Sequence, residues 1–399
     1  MHCTRKITDD IHYVGGSDRR LERFENLFPI ERGVSYNSYL ILDEKTCLLD
    51  TVDSSITRLY LENVKHVLGN RKLDYLVVHH MEPDHCANIE EILIRHPETT
   101  VVGNDKTFAF IRQFYPDLDL EGRTLAVKEG DVLKLGKHEL HFFMAPMVHW
   151  PEVMVSYDPC DKVLFSADAF GSFGALNGNL FADEVDFDRD WLDDARRYYT
   201  NIVGKYGAQV QMALKKLTGV DIRLICSLHG PVWRKDIDYL MDKYQHWSTY
   251  EPETKGVMIV YGSMYGDNQN AAECLASYLS QEGIRDIRVY DASKTTPSFL
   301  VSEAFRLSNI VLVTPTYNMT VYPAIEAFVD DFLRMGLKNR TLSLIENGSW
   351  APAANRLLRE KLKEPAFRFT PKDVTIRSNL DEAKLTELAS LAKDIRESL

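Results

Sequence analysis

The chain has 399 residues, too many for one typical hydrophobic core, so two domains are expected. Its composition, 45% hydrophobic, 11% aromatic and 27% charged, is that of an ordered globular protein, and a formal net charge of -12 disfavours nucleic acid as a partner, since phosphate binding needs clustered Lys and Arg. No apolar run is long enough to span a bilayer, the start lacks the apolar stretch of a secretory signal, and the six cysteines form no CxxC pair; a cytoplasmic protein with reduced thiols and no membrane partner is expected.

In chain order, residues 38–42 and 46–50 read as paired strands and residues 73–79 as a buried strand. Polar residues follow that strand at once, in His79-His80-Met81-Glu82-Pro83-Asp84-His85, which contains H-x-E-x-D-H. Alternate residues of an extended turn point one way, so His80, Glu82 and Asp84 are expected to converge, with His85 opening the next helix and returning its ring to the same centre. His79, the last residue of the strand, is expected to pack outside the metal's own ligands. Further along, His149 stands in Pro146-Met147-Val148-His149-Trp150. The strand at 163–167 runs into Asp168, and the strand at 222–228 runs into His229 and Gly230. Seven candidate ligands suffice for two metals if one carboxylate bridges, and Asp168, alone at its strand end, is the natural bridge. Nitrogen with carboxylate oxygen and no thiolate suits iron, manganese or zinc at a reactive centre and argues against a structural zinc site.

The polar stretch at 250–255 interrupts this pattern and marks the expected boundary between a domain at 1–250 and a second at 251–399. Beyond it, strand, turn and helix repeat: strands at 256–261, 287–290, 309–314, 341–346 and 374–376, and an amphipathic helix over 380–399. This predicts a doubly wound parallel sheet of order 2-1-3-4-5, which binds its ligand at the switch point between strands 1 and 3. Three loops follow the C-terminal strand ends there. The first is Ser263-Met264-Tyr265-Gly266-Asp267-Asn268, whose backbone N–H groups at a helix start suit a phosphate, with Ser263 and Asn268 as added donors. The second contains Pro315-Thr316-Tyr317-Asn318, and the third Gly348-Ser349-Trp350-Ala351. Tyr317 and Trp350 offer flat aromatic faces for a flavin ring.

The set His80, Asp84, His85, His149, Asp168 and His229 resembles the ligands of the metallo-β-lactamase superfamily, with its αββα fold. Hydrolases of that superfamily generally carry histidine where this chain has Glu82, and a carboxylate there resembles the flavodiiron branch. An anionic oxygen favours redox iron over a zinc hydroxide. The three loops resemble the flavodoxin-like module of the same family, so the resemblance covers nearly the whole chain in the expected order. It implies FMN and two irons per chain, one held by His80, Glu82, His149 and Asp168 and the other by Asp84, His85, Asp168 and His229. It further implies reduction of dioxygen to water, of nitric oxide to nitrous oxide, or both, in a head-to-tail homodimer or a dimer of dimers. Trp150, Tyr198 and Tyr199 are candidates for tuning the choice of gas from beside the ligands. No rubredoxin-like cysteine module follows Leu399, so electrons are expected from a separate rubredoxin-like protein or from a deazaflavin. Two departures stand out: Asp267-Asn268 where a small polar residue and threonine are usual, and Ala351-Pro352-Ala353 where glycines are common. The competing readings are a hydrolase of the superfamily with an accessory flavodoxin-like domain, and a non-catalytic electron-transfer or redox-sensing module.

Overall fold

Alternating apolar residues early in the chain pair into strands that turn one face to a shared core. The first sheet of the computed structural model runs in the order β1 (Arg5–Lys6), β2 (Ile11–Tyr13), β3 (Tyr39–Leu42), β4 (Thr46–Leu49), β5 (Tyr75–Val77), β6 (Thr100–Gly103) and β7 (Thr124–Ala126). The first four strands are antiparallel and the rest join in parallel. A second sheet orders β8 (Val132–Lys134), β9 (Glu139–Met144), β10 (Met154–Asp158), β11 (Val163–Phe165) and β12 (Leu224–Cys226), antiparallel except for its last pair. Tyr39, Ile41, Leu49, Val77 and Val102 of the first sheet share one buried cluster with Leu133, Phe142, Met154, Phe165 and Cys226 of the second. Two sheets therefore sandwich one core, with helices such as Thr57–Leu68 and Asp105–Phe114 packed against the first, as the αββα fold requires. The structure describes residues 2–363 and 366–399. Among them no helix is long and apolar enough to cross a membrane.

The second sheet system is parallel and covered on both faces, so its strands read as unbroken apolar runs such as Gly256-Val257-Met258-Ile259-Val260. Its order is β14 (Ile287–Asp291), β13 (Thr254–Tyr261), β15 (Leu307–Tyr317), β16 (Thr341–Asn347), with a fifth strand in two pieces, β17 (Arg368–Phe369) and β18 (Val374–Ile376), both beside β16. That is the expected order 2-1-3-4-5. On one face, Ala271, Ala272, Leu275 and Leu279 of helix Asp267–Gln281 and Leu388, Leu391, Ala392 and Ile395 of helix Glu382–Ser398 share a core with Val257, Ile259, Val311 and Ile345. The spacing of these residues is that of one helical face. Helix Pro297–Arg306 ends against the buried guanidinium of Arg340, which donates to the carbonyls of Ala304 (2.8 Å) and Phe305 (2.5 Å) and also to Tyr250 (2.6 Å). Those bonds satisfy carbonyls that the helix itself leaves open.

The strands expected at 73–79, 163–167 and 222–228 are shorter, at 75–77, 163–165 and 224–226, whereas β15 is longer. Residues 315–317, read as a loop, continue β15, which turns through Asn318 (φ 48) and Met319 (φ 63) into an antiparallel partner at Thr320–Val321. Two consecutive left-handed residues make the tight hairpin whose twist matches its strands. By contacts the chain divides into one unit of Met1–Tyr199 with Ala208–Tyr244, and another of Thr200–Gly207 with Gln245–Leu399.

Candidate metal centre and flavin crevice

His80, Asp168 and His229 each stand three positions beyond the last strand residue, after Val77, Phe165 and Cys226 respectively. Parallel pairing of β11 with β12 sets the latter two side by side. The sequence after His80 does not stay extended: Glu82 is the last extended residue (ψ 140), and a short helical turn, Pro83–Cys86, carries both Asp84 and His85. The turn therefore divides the cluster. His80 and Glu82 gather with His149 and Asp168 in one group, and Asp84 and His85 gather with His229 in another, the ligand atoms of each group lying within 4.8 Å of one another.

Asp168 connects the two groups. Its Oδ2 lies 3.4 Å from His80 Nε2 and 3.1 Å from His149 Nε2, while its Oδ1 lies 3.0 Å from His85 Nε2. Glu82 Oε2 is 3.0 Å from His149 Nε2, and Asp84 Oδ2 is 3.3 Å from His229 Nε2. Both Asp84 oxygens and Asp168 Oδ1 are buried without a hydrogen-bond donor, and the ring nitrogens of His85 and His229 face each other at 3.0 Å. Buried acceptors without donors, aimed at a common point with imidazole nitrogens, fit cations of mixed nitrogen and oxygen ligation. Burial alone favours the neutral forms, yet His149 and His80 hold the Glu82 carboxyl below the ordinary carboxylate range, and His85 and His80 do the same for Asp168. Asp84 and Asp168 in turn raise His85 to about 9 against its burial.

The rings are aimed from behind. Glu152 Oε1 accepts from His80 Nδ1 at 2.8 Å and from the Met81 backbone N–H at 2.9 Å, which turns His80 Nε2 toward Glu82 and Asp168. His229 donates from Nδ1 to the Ser35 carbonyl at 2.8 Å, with the same effect. Sequence reading missed both supports. His79 behaves as expected, bonded to Asp50 (2.6 Å) and Ser156 (2.8 Å) away from the centre. Trp150 packs edge-on against His80 (5.3 Å between centroids), and Tyr198 lies 5.3 Å from His229. The ring of Tyr199 meets that of Tyr244 at 5.0 Å.

In the second unit a crevice of about 530 Å3 opens at the C-terminal ends of β13, β15 and β16. Ser263, Met264, Tyr265, Asp267, Asn268, Pro315, Thr316, Asn318, Gly348, Ser349, Trp350 and Ala351 line it, joined by Met319, Asn347 and Ser378, which sequence reading did not select. Two selected residues lie outside the lining. Gly266, with no side chain, supplies the left-handed turn (φ 106) into the helix, and Tyr317, carried by the extended β15, packs edge-on against Tyr322. Asn268 turns its amide onto the Gly262 carbonyl (2.9 Å), and the Ser263 hydroxyl accepts from Gly266 N (3.0 Å), so both brace the loop from within. Thr316 Oγ1 accepts from Ala353 N at 2.9 Å and ties the second loop to the third. Trp350 (87% exposed) and Tyr265 (91% exposed) stand over the crevice with Met264 and Met319. Aromatic walls over open backbone turns suit a flat ring carrying a phosphate.

Residues 34–230 match the ODP family beta lactamase. A nitric oxide reductase of Moorella thermoacetica is 31% identical over 90% of this chain and 89% of its own. The rubredoxin oxygen:oxidoreductase of Desulfovibrio gigas superposes with a TM-score of 0.92 at 27% identity, covering 99% of this chain and 98% of that one. The flavodiiron protein of Giardia intestinalis superposes at 0.91 with 25% identity, covering 99% and 97%. The chain belongs to the flavodiiron family. It is an oxidoreductase, not a hydrolase with an added domain.

Proposed function

We propose that this flavodiiron chain reduces dioxygen to water, nitric oxide to nitrous oxide, or both, at two irons held within residues 1–250, with FMN held within residues 251–399. The observation that carries the reading is Asp168, which turns one oxygen toward each ligand group, the geometry a bridging carboxylate needs. His80, Glu82 and His149 would hold one iron and Asp84, His85 and His229 the other. When bound, the irons would supply a redox centre that meets a small gas on two sides, and FMN would supply its electrons.

The chain's own residues do the rest. Glu152 and the Ser35 carbonyl fix which imidazole nitrogen faces inward, and Trp150, Tyr198 and Phe24, the last 5.3 Å from His229, surround the ligand rings with aromatic surface. Such surface limits water at the centre. The aromatic walls and open turns of the crevice support FMN, and Asp267 among them weakens the fit to its phosphate without removing it. A separate rubredoxin-like protein is the proposed electron donor, with a deazaflavin as the other source. The relative from Desulfovibrio gigas carries rubredoxin in its name. A homodimer in the cytoplasm completes the proposal.

The test is anaerobic purification, measurement of iron, zinc and FMN per chain, and gas consumption with a rubredoxin-type donor. About two irons and one FMN per chain with rapid uptake of either gas is expected for a two-metal site. Zinc without uptake would sink the reading, and the ratio of the two rates assigns the preferred gas.

A further inference from the structure

Behind the metal ligands lies a second, narrow cavity of about 30 Å3 that the site chemistry does not use. Its inner wall is made by Val148, which precedes His149, and by Ala169 and Phe170, which follow Asp168. Its outer wall is the apolar side of the helix Gly207–Lys216 and the residue beyond it, with Val210, Ala213 and Leu217. Val148, Phe170 and Val210 are buried, whereas Ala213 and Leu217 are half-buried, so the space extends from near the surface to one residue short of two ligands.

The lining offers nothing to water. Its polar side chains are all engaged elsewhere: Ser166 donates to the Ala169 carbonyl (2.7 Å), Lys216 donates to Glu129 and to the Met144 carbonyl (2.7 Å each), and the Tyr244 hydroxyl accepts the Phe170 backbone N–H. A narrow space without free donors or acceptors stays dry and takes apolar atoms instead. Its free volume of about 30 Å3 exceeds the roughly 10–15 Å3 that an occupant the size of water needs, so a small gas fits.

We propose that this cavity binds a small apolar diatomic gas and passes it along the Val148 and Ala169 wall to the metal centre. The passage rests on the gas-reducing reading given above, whereas the binding of an apolar atom does not. Xenon is the probe for binding, applied under pressure to crystals of the full chain as purified. The expected result is one xenon site between Val148 and Ala213, absent from the Ala213→Phe variant, whose ring fills the space.

For passage, kcat/KM for the consumed gas should fall about threefold or more in Ala213→Phe because entry is slowed. The rate at saturating gas and the iron content should stay unchanged. If Ala213→Phe does not fold, Val210→Leu narrows the same space by one carbon and serves in its place. No xenon in the wild-type cavity would overturn the proposal. So would an unchanged kcat/KM in a variant that has lost the xenon site. Xenon bound in a protein that consumes neither gas would overturn the parent reading and the passage with it, leaving only the binding site.

Discussion

Glu152 illustrates how a residue remote from a motif decides what the motif does. It is 1% exposed, its Oε1 takes two hydrogen bonds, and its Oε2 takes none. Its charge therefore serves His80, making the imidazole a stronger and correctly turned ligand. Replacing it by alanine should lower metal affinity about 10- to 100-fold, and Glu152→Gln, which keeps an acceptor but loses the charge, should cost less. Iron retained against a graded chelator would measure both, and equal retention in all three proteins would contradict the role. Nothing in the sequence joins positions 80 and 152, 72 residues apart. A third cluster of His138, Asp158 and Asp161 is structural by its bonding: His138 meets Asp158 at 3.0 Å and Asp10 at 3.3 Å, and both Cys160 N and Asp161 N donate to Asp158. Burial opposes the charged ring, but Asp158, Asp10 and Asp161 raise the His138 pKa above its ordinary 6.5. A raised folded value means that the stabilisation is complete below 6.5 and is lost as pH rises through the folded value. The gap in urea midpoint between wild type and His138→Gln should therefore narrow on going from about pH 6 to about pH 9. A gap that widens with pH would reverse the sign and reject the pairing.

At the scale of elements, the helix Asp267–Gln281 carries two demands at its first turn. Its positive end is stabilised by an acidic residue, and Asp267 supplies one, yet the same end is the proposed seat of a phosphate. The demands conflict because Asp267 lines the crevice. Asp267→Asn should tighten FMN about two- to fivefold while slightly weakening the helix, since a charge at a helix end contributes less than about 1 kcal/mol. Fluorescence titration of FMN into the deflavinated protein measures this, and weaker binding in the variant would show that the carboxylate helps. The helix was legible because its buried residues repeat on one face. The strand β15 was legible only in its apolar middle, because Pro315-Thr316-Tyr317 carry turn-type residues and only pairing with Thr320–Val321 keeps them extended. Tyr317, which ends this strand, meets Tyr322 edge-on.

Across the whole molecule, each unit has its own buried core, one between the two sheets of the β-lactamase-like fold and one against the parallel sheet. Calorimetric unfolding should therefore show more than one transition. Chelation should lower one of them, and FMN should raise the other, by about 2.7 kcal/mol at a hundredfold excess over Kd. One transition that ignores both would count against separate cofactor sites. The sequence by itself determined the two-part architecture, the 2-1-3-4-5 sheet and the residues brought into the metal cluster. Strand periodicity and ligand spacing are local properties, and a strand end presents the residue that follows it whatever else the chain does. The tertiary structure alone decided which oxygen of Asp168 faces which group, that Ser35 and Glu152 aim His229 and His80, and that the Tyr199 ring meets Tyr244. Those relations join residues as many as 194 positions apart, and only the packing of one sheet on another brings them within the reach of a hydrogen bond.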